Sequence, residues 1–214
     1  MNKQEIMNKQ DMLQSVRDYL LLFGKVDERI LEAMKKIDRK DFMEKNKELA
    51  YINTAISIGY GQTISQPSTI ARMLSLLKLK KQDFVLEIGT GSGWNASLIS
   101  YLIKSGKIIS LEIVKELIKS SKDKIKKAGI KNIEIKEKDF RELKEKFDKI
   151  IFTAGISYSQ KGLIEDFAVK HLNEKGILIC PYQLGPLIII KKINNNKIEK
   201  TYTNEEYVFV PLIL

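Results

Sequence analysis

The segment Val85-Leu86-Glu87-Ile88-Gly89-Thr90-Gly91-Ser92-Gly93-Trp94 restricts this chain more than any other. It joins an apolar run over 83–88, read as a buried strand, to a helical pattern over 94–104. Glycines at every second position between strand and helix permit a tight turn and close approach of a ligand to the backbone. Beyond it the chain alternates. Strands are predicted over 107–113, 132–136 and 147–153, with helices over 114–128, closed by Gly129, and over 162–172. Such alternation with short connections implies a parallel sheet covered by helices on both faces. Late strands over 176–181, 187–193 and 207–212 have no helices between them, so an antiparallel hairpin is expected at one edge. Asn194-Asn195-Asn196 would be its turn.

Upstream, Met12, Leu13, Val16, Tyr19, Leu20 and Phe23 carry helical spacing over 8–23, and Gly24 can end that helix. A second helix is expected from Asp27, carrying Ile30, Leu31, Met34 and Ile37. Residues 38–64 read as irregular. Pro67 suits the first turn of a further helix, with Ser65 or Gln66 at its mouth. The expected fold is therefore α/β: a Rossmann-like, mostly parallel sheet with extra N-terminal helices and a C-terminal antiparallel hairpin. One domain is expected over 1–214, with 1–66 as a helical extension plus substrate and cofactor loop, and 67–214 as the core.

The 43% hydrophobic content of the 214 residues suffices for such a core, and no apolar run approaches the ~20 residues of a membrane span. The polar N-terminus lacks the apolar centre of a secretory signal, and a lone Cys180 cannot form an internal disulfide, so a cytoplasmic protein is expected. The net charge is +10, yet only five of the 37 basic residues are Arg. Lys spread along the whole chain reads as a solvated surface, so neither nucleic acid nor a membrane is an expected partner, and a monomer is expected. One His and one Cys make no metal-ligand cluster, so no metal is expected. His171 is read as structural or solvent-facing in a last helical turn, Cys180 as core, and Trp94 as packing at a helix start.

Acidic residues give the glycine turn a chemistry. Glu112 ends the next predicted strand, 19 residues beyond Gly93, where a carboxylate can accept both hydroxyls of a ribose. Asp139 follows the third strand and could face an adenine. A dinucleotide fold would carry G-x-G-x-x-G, but here Trp94 takes the place of the last glycine. Glu87, two residues before the first glycine, would repel a pyrophosphate yet tolerate a cationic sulfonium or ammonium. The cofactor implied is S-adenosyl-L-methionine.

Several segments outside this motif resemble the protein-L-isoaspartate O-methyltransferases. Tyr51-Ile52-Asn53-Thr54-Ala55 and Ile58-Gly59-Tyr60-Gly61-Gln62-Thr63-Ile64-Ser65-Gln66-Pro67 are similar to that family's hallmark before the first sheet strand, and Arg39-Lys40-Asp41-Phe42 to its shorter upstream motif. Residues 147–154, 176–181 and 209–212 are similar to its fourth, fifth and last strands. The resemblance implies a seven-stranded sheet with the family's strand exchange. It also implies methylation of the side-arm carboxylate of isoaspartyl residues in damaged peptides and proteins; the ester then collapses to a succinimide without the enzyme. It assigns the essential hydroxyl to Ser65, with Thr63 beside it as a catalytic candidate. Gln62, Ile64, Glu87, Gly89, Thr90, Gly91, Ser92, Gly93, Glu112, Asp139 and Phe140 become the cofactor-binding set. Two departures stand out: Phe140 follows Asp139 where the family has glycine, and the loop over 155–161 lacks the family's prolines.

Three readings remain open on the residues. The first is isoaspartyl methylation. The second is RNA methylation, suggested by the positive charge. The third is a binding module that keeps the cofactor fold without turnover. Ser65 also has a second reading, as N-cap of the helix opened by Pro67.

Overall fold

The computed structural model describes residues 7–195 and 197–213. Asn196 and the first six residues, part of the turn and of the N-terminal reading above, lie outside the described residues. Two helices come first, α1 (Lys9–Leu21) and α2 (Glu28–Lys36). Asn8 caps α1 in a reciprocal capping box with Asp11, and Asp27 caps α2. Residues 38–64 are less irregular than their polar composition suggests. They hold single-turn helices at Arg39–Phe42 and Lys47–Leu49, then a hairpin of β1 (Ile56–Gly59) and β2 (Gln62–Ile64). Tyr60 and Gly61 both have positive φ at its tip, as a two-residue turn matched to strand twist requires. The sequence hid this hairpin because glycines and hydroxyl residues mask any alternation.

The core then runs α3 (Pro67–Leu77), β3 (Phe84–Ile88), α4 (Trp94–Ile103), β4 (Lys107–Glu112), α5 (Lys115–Lys127), β5 (Ile133–Glu137), β6 (Phe147–Phe152), α6 (Lys161–His171) and β7 (Leu172–Pro181). The C-terminal part adds β8 (Leu184–Gly185), β9 (Leu187–Asn194), β10 (Lys197–Tyr202) and β11 (Tyr207–Val208). Seven strands form one sheet in the order β10-β9-β7-β6-β3-β4-β5. The five from β7 to β5 are parallel, while β9 and β10 run antiparallel at one edge. The chain works outward from β3 in both directions, so β3 and its two neighbours form the switch point where open α/β sheets place ligands.

Strand residues alternate between two cores. Val85, Ile108, Ile151 and Ile177 pack with α1 to α4, whereas Leu86, Ile109, Ile150 and Leu178 pack with Phe167 and Ala168 of α6. One expectation needs correcting. The seventh strand is β10, not 207–212. Its exposed, polar face hides the strand from a reading based on hydrophobicity, as befits an edge. Residues 207–208 instead pair with β8, and the chain continues as a strap: Gly155 N donates to Val210 O and Leu212 N to Gly155 O, both at 2.8 Å. Among the described residues no helix is long and apolar enough to cross a membrane.

Arg39, fully buried, ties the loop before α3 to the core. Its guanidinium donates to the carbonyls of Ala50, Ile52, Thr54, Ile64 and Ser65 at 2.8–3.2 Å and lies 5.6 Å from the centroid of the Trp94 ring. Arg39→Leu leaves these carbonyls without their donor and is expected to cost at least ~3 kcal/mol in urea unfolding.

Candidate active site

The glycine turn is locked from two sides. Gly89 N and Thr90 N both donate to Leu111 O, at 2.9 and 3.0 Å, which pins the turn to β4. Thr153, just past β6, donates its hydroxyl to Ile88 O and Gly89 O. Gly89 has φ +97°, and a Cβ there would lie 2.4 Å from Thr153 Oγ1. Only glycine meets both demands.

Glu112 ends β4 and is nearly buried. It accepts from Gly91 N at 2.9 Å, from Ile113 N at 2.8 Å and from Val114 N at 3.1 Å, so its carboxylate is held at the mouth of the turn. Asp139 caps the short turn Phe140–Glu142 and pairs with Arg141, which holds its carboxyl below the usual range. Phe140 finds its room behind the site. Its ring lies edge-on to Phe152 and Phe167, at 5.3 and 5.0 Å between centroids, so the ring packs into the core while the residue still borders the first cavity.

Glu87 lies beneath the cavities rather than on their walls. It is wholly buried, accepting from Asn95 Nδ2 at 2.8 Å and from the Ser110 hydroxyl, which also contacts Thr90 Oγ1. Burial pushes its carboxyl up to about 7, against the pull of those two donors. Gly93 likewise stays off their walls, its hydrogen side facing Ser121 and Ile125 of α5.

Ser65 stands between β2 and α3. The N-cap position of α3 belongs to Gln66, and its side chain makes no cap bond. The cap comes from afar: Asn53 Oδ1 accepts from Ser68 N at 3.0 Å, while Gln66 Nε2 donates to Asn53 O. The capping alternative for Ser65 therefore falls, and the hallmark Asn53 gains a physical reason. The hydroxyls of Ser65 and Thr63 make no hydrogen bond among the described residues.

Three connected cavities surround these groups. The first, about 490 Å3, is lined by Glu112, Asp139, Phe140, Gln62, Gly89 and the strap residues Pro211 to Ile213. An inner one, about 480 Å3, shares Gln62, Gly89 and Glu112 with it and adds Thr63, Ile64, Ser65, Thr90, Gly91, Ser92 and Asn95. An outer groove of about 1320 Å3 meets the inner cavity at Thr63, Ser65, Thr153 and Val210. The structure thus gathers eleven of the thirteen expected residues on these walls, Glu87 and Gly93 excepted. Sequence reasoning missed Asn95, Thr153 and Val210. Asn95 had a signal, as the polar side chain that follows Trp94 in the apolar stretch of α4.

His171 and Cys180 lie away from all three cavities. His171 is buried rather than solvent-facing, stacked on Phe167 with Nδ1 at 2.8 Å from Glu145 O, and burial lowers its pKa. Cys180 is fully buried core, its thiol pushed well up by desolvation.

A glycine-turn pocket at the switch point of a seven-stranded sheet, with an acid ending the next strand, defines a Rossmann-like methyltransferase that uses S-adenosyl-L-methionine. The model of the family Protein-L-isoaspartate(D-aspartate) O-methyltransferase matches residues 7–214. This chain belongs to that family. Protein-L-isoaspartate O-methyltransferase of Thermosipho melanesiensis is 40% identical over 204 residues, covering 92% of this chain and 99% of its own length. The Fervidobacterium nodosum protein of that name is 39% identical over 199 residues, covering 89% and 97%. Among solved structures, the Plasmodium falciparum protein-L-isoaspartate O-methyltransferase in complex with S-adenosyl-L-homocysteine superposes with TM-score 0.78 at 25% identity, covering 97% of this chain and 99% of that one.

The elevated Glu87 carboxyl has a consequence for stability. The folded chain keeps a proton that the unfolded chain releases between pH 4.5 and about 7. Its contribution is therefore full below that window and falls as pH rises through it. Glu87→Gln should remove this slope, shifting stability relative to wild type by on the order of 3 kcal/mol between the two ends. Chemical denaturation at a series of pH values reads the difference; parallel curves for the two proteins would mean that Glu87 does not titrate there.

Proposed function

We propose that this chain methylates the side-arm carboxylate of L-isoaspartyl residues in damaged peptides and proteins, with Ser65 and Thr63 positioning that carboxylate and the two smaller cavities holding the cofactor. The observation that carries the reading is the wall shared by the inner cavity and the outer groove, where the Ser65 and Thr63 hydroxyls stand free of other bonds.

The residues fit S-adenosyl-L-methionine. Gly89 leaves no side chain at the floor, Glu112 stands at the junction of the two smaller cavities, and Asn95 Oδ1 is a buried acceptor with no partner. Glu112 would take the ribose hydroxyls, and the stretch from Asp139 to Phe140 would flank the base. When bound, the cofactor supplies a methyl group on a sulfonium centre.

Transfer to a carboxylate requires no general base. Such a group is ionised near neutrality, its ordinary pKa being about 4. Placement and partial desolvation are what the protein must add. The sites agree with this economy: the one imidazole is buried elsewhere, and the inner cavity's only charged wall residue among those described is Glu112. Hydroxyl donors at Ser65 and Thr63 hold an anion in line without neutralising it. An RNA substrate finds less support, because the outer groove carries one charged wall residue, the acid Glu206, despite the chain's +10 charge. The single buried cysteine supports a reducing, cytoplasmic setting.

The deciding experiment is transfer of labelled methyl to a matched peptide pair. Base-labile label is expected on the isoaspartyl member alone; equal labelling of the aspartyl member would defeat the reading. Ser65→Ala should lower kcat roughly 10- to 100-fold, the loss of one charge-assisted bond, with cofactor affinity nearly unchanged. A second expectation concerns the groove. Glu206→Lys should move the preference from peptides with a cation beside the isoaspartate towards those with an acid, by roughly two- to fivefold in kcat/KM at low salt, as for an exposed ion pair.

A further inference from the structure

Asn95 is a polar residue whose burial no packing need explains. It sits in the first turn of α4, otherwise Ala, Leu, Ile and Ser with two aromatics, and it is 7% exposed. Its amide is oriented from below. Nδ2 donates to Glu87 Oε1 at 2.8 Å, and Glu87 is itself fastened by the Ser110 hydroxyl, so the amide nitrogen faces the carboxyl and the oxygen faces away. That oxygen has no hydrogen-bond partner among the described residues, although Asn95 lines the inner cavity. Buried acceptors are nearly always satisfied, and leaving one unpaired is costly. A group supplied by a ligand would satisfy it.

The kind of group follows from the surroundings. On the proposed roles of Glu112 and Asp139, the nucleoside end of the cofactor would lie in the first cavity, which leaves its amino-acid end for the inner one. No Lys or Arg lines the inner cavity among the described residues, and the acids nearest Asn95 are Glu87 beneath it and Glu112 at the rim. A donor with positive charge suits that field; an acceptor does not. Resting on the cofactor reading above, we infer that Asn95 Oδ1 receives the α-ammonium of S-adenosylmethionine. Glu87 acts through Asn95 as a positioning residue, aiming the amide.

The test compares two ligands on three proteins by calorimetry: S-adenosyl-L-homocysteine and its deamino analogue, which keeps the carboxylate. Wild type should bind the deamino ligand about tenfold more weakly, as expected for a lost hydrogen bond to a charged group. In Asn95→Leu the two ligands should bind alike, because the acceptor is gone. Asn95→Ala should behave the same way and covers the case in which the larger apolar side chain disturbs folding. Retention of the tenfold preference in either folded variant overturns the inference. So does equal binding of both ligands by wild type. Failure of wild type to bind S-adenosylhomocysteine at all would overturn the cofactor reading itself, a distinct result.

Discussion

The buried guanidinium of Arg39 is the contact on which the site most depends. Residues 50–65 have little regular structure beyond one short hairpin, so their carbonyls find few ladder partners. One cation collects five of them, the last belonging to Ser65. The same cation lies over Trp94, whose indole nitrogen donates to Ile37 O and whose helix begins where the glycine turn ends. A single residue thus sets the loop that carries the hydroxyls against the turn that would cradle the cofactor. Burial lowers the Arg39 pKa only to about 10, so the charge persists at neutral pH.

Around that node, five segments distant in sequence make one pocket. The sheet provides the ends of β3, β4 and β6, the hairpin lies across Gly91, and the C-terminal strap closes over Gly155. The strap is itself anchored. Glu205 pairs with Arg72 of α3, and Tyr207 shares its hydroxyl with Tyr19 of α1 at 3.0 Å. The N-terminal helices therefore do more than cover a sheet face; they fix one wall of the outer groove.

The electrostatics of the pocket oppose those of the surface. Lysines dominate outside, whereas the cavity walls carry Glu112, Asp139 and Glu206 against a single lysine, Lys138, with Asp139 paired to Arg141 and Glu87 below. A cationic cofactor gains from that field. A substrate carboxylate would be repelled by it, which fits the proposal that neutral hydroxyls at the junction, rather than a wall of charge, position it.

The legible part of this protein was local. Alternation of strand and helix, glycines in a βα turn and an acid at the next strand end are short-range patterns, and they sufficed for the parallel sheet, the turn and the place of Glu112. The hallmark segment marked Ser65 by resemblance, though no spacing rule could say what the neighbouring Asn53 does. What the chain could not disclose alone depended on partners far away in sequence. The edge strand β10 is solvated and lacks alternation, so only its pairing with β9 defines it. Residues 209–212 are apolar enough to read as a strand, and only the approach of Gly155 turns them into a strap. Phe140 departs from the family's glycine, and only Phe152 and Phe167 give its ring a place. Sequence determines which groups are present and how each short stretch is inclined to fold. Tertiary structure alone decided that Glu87 lies beneath the floor with Asn95 above it, because burial and hydrogen-bond direction arise only when β3, β4 and α4 have packed.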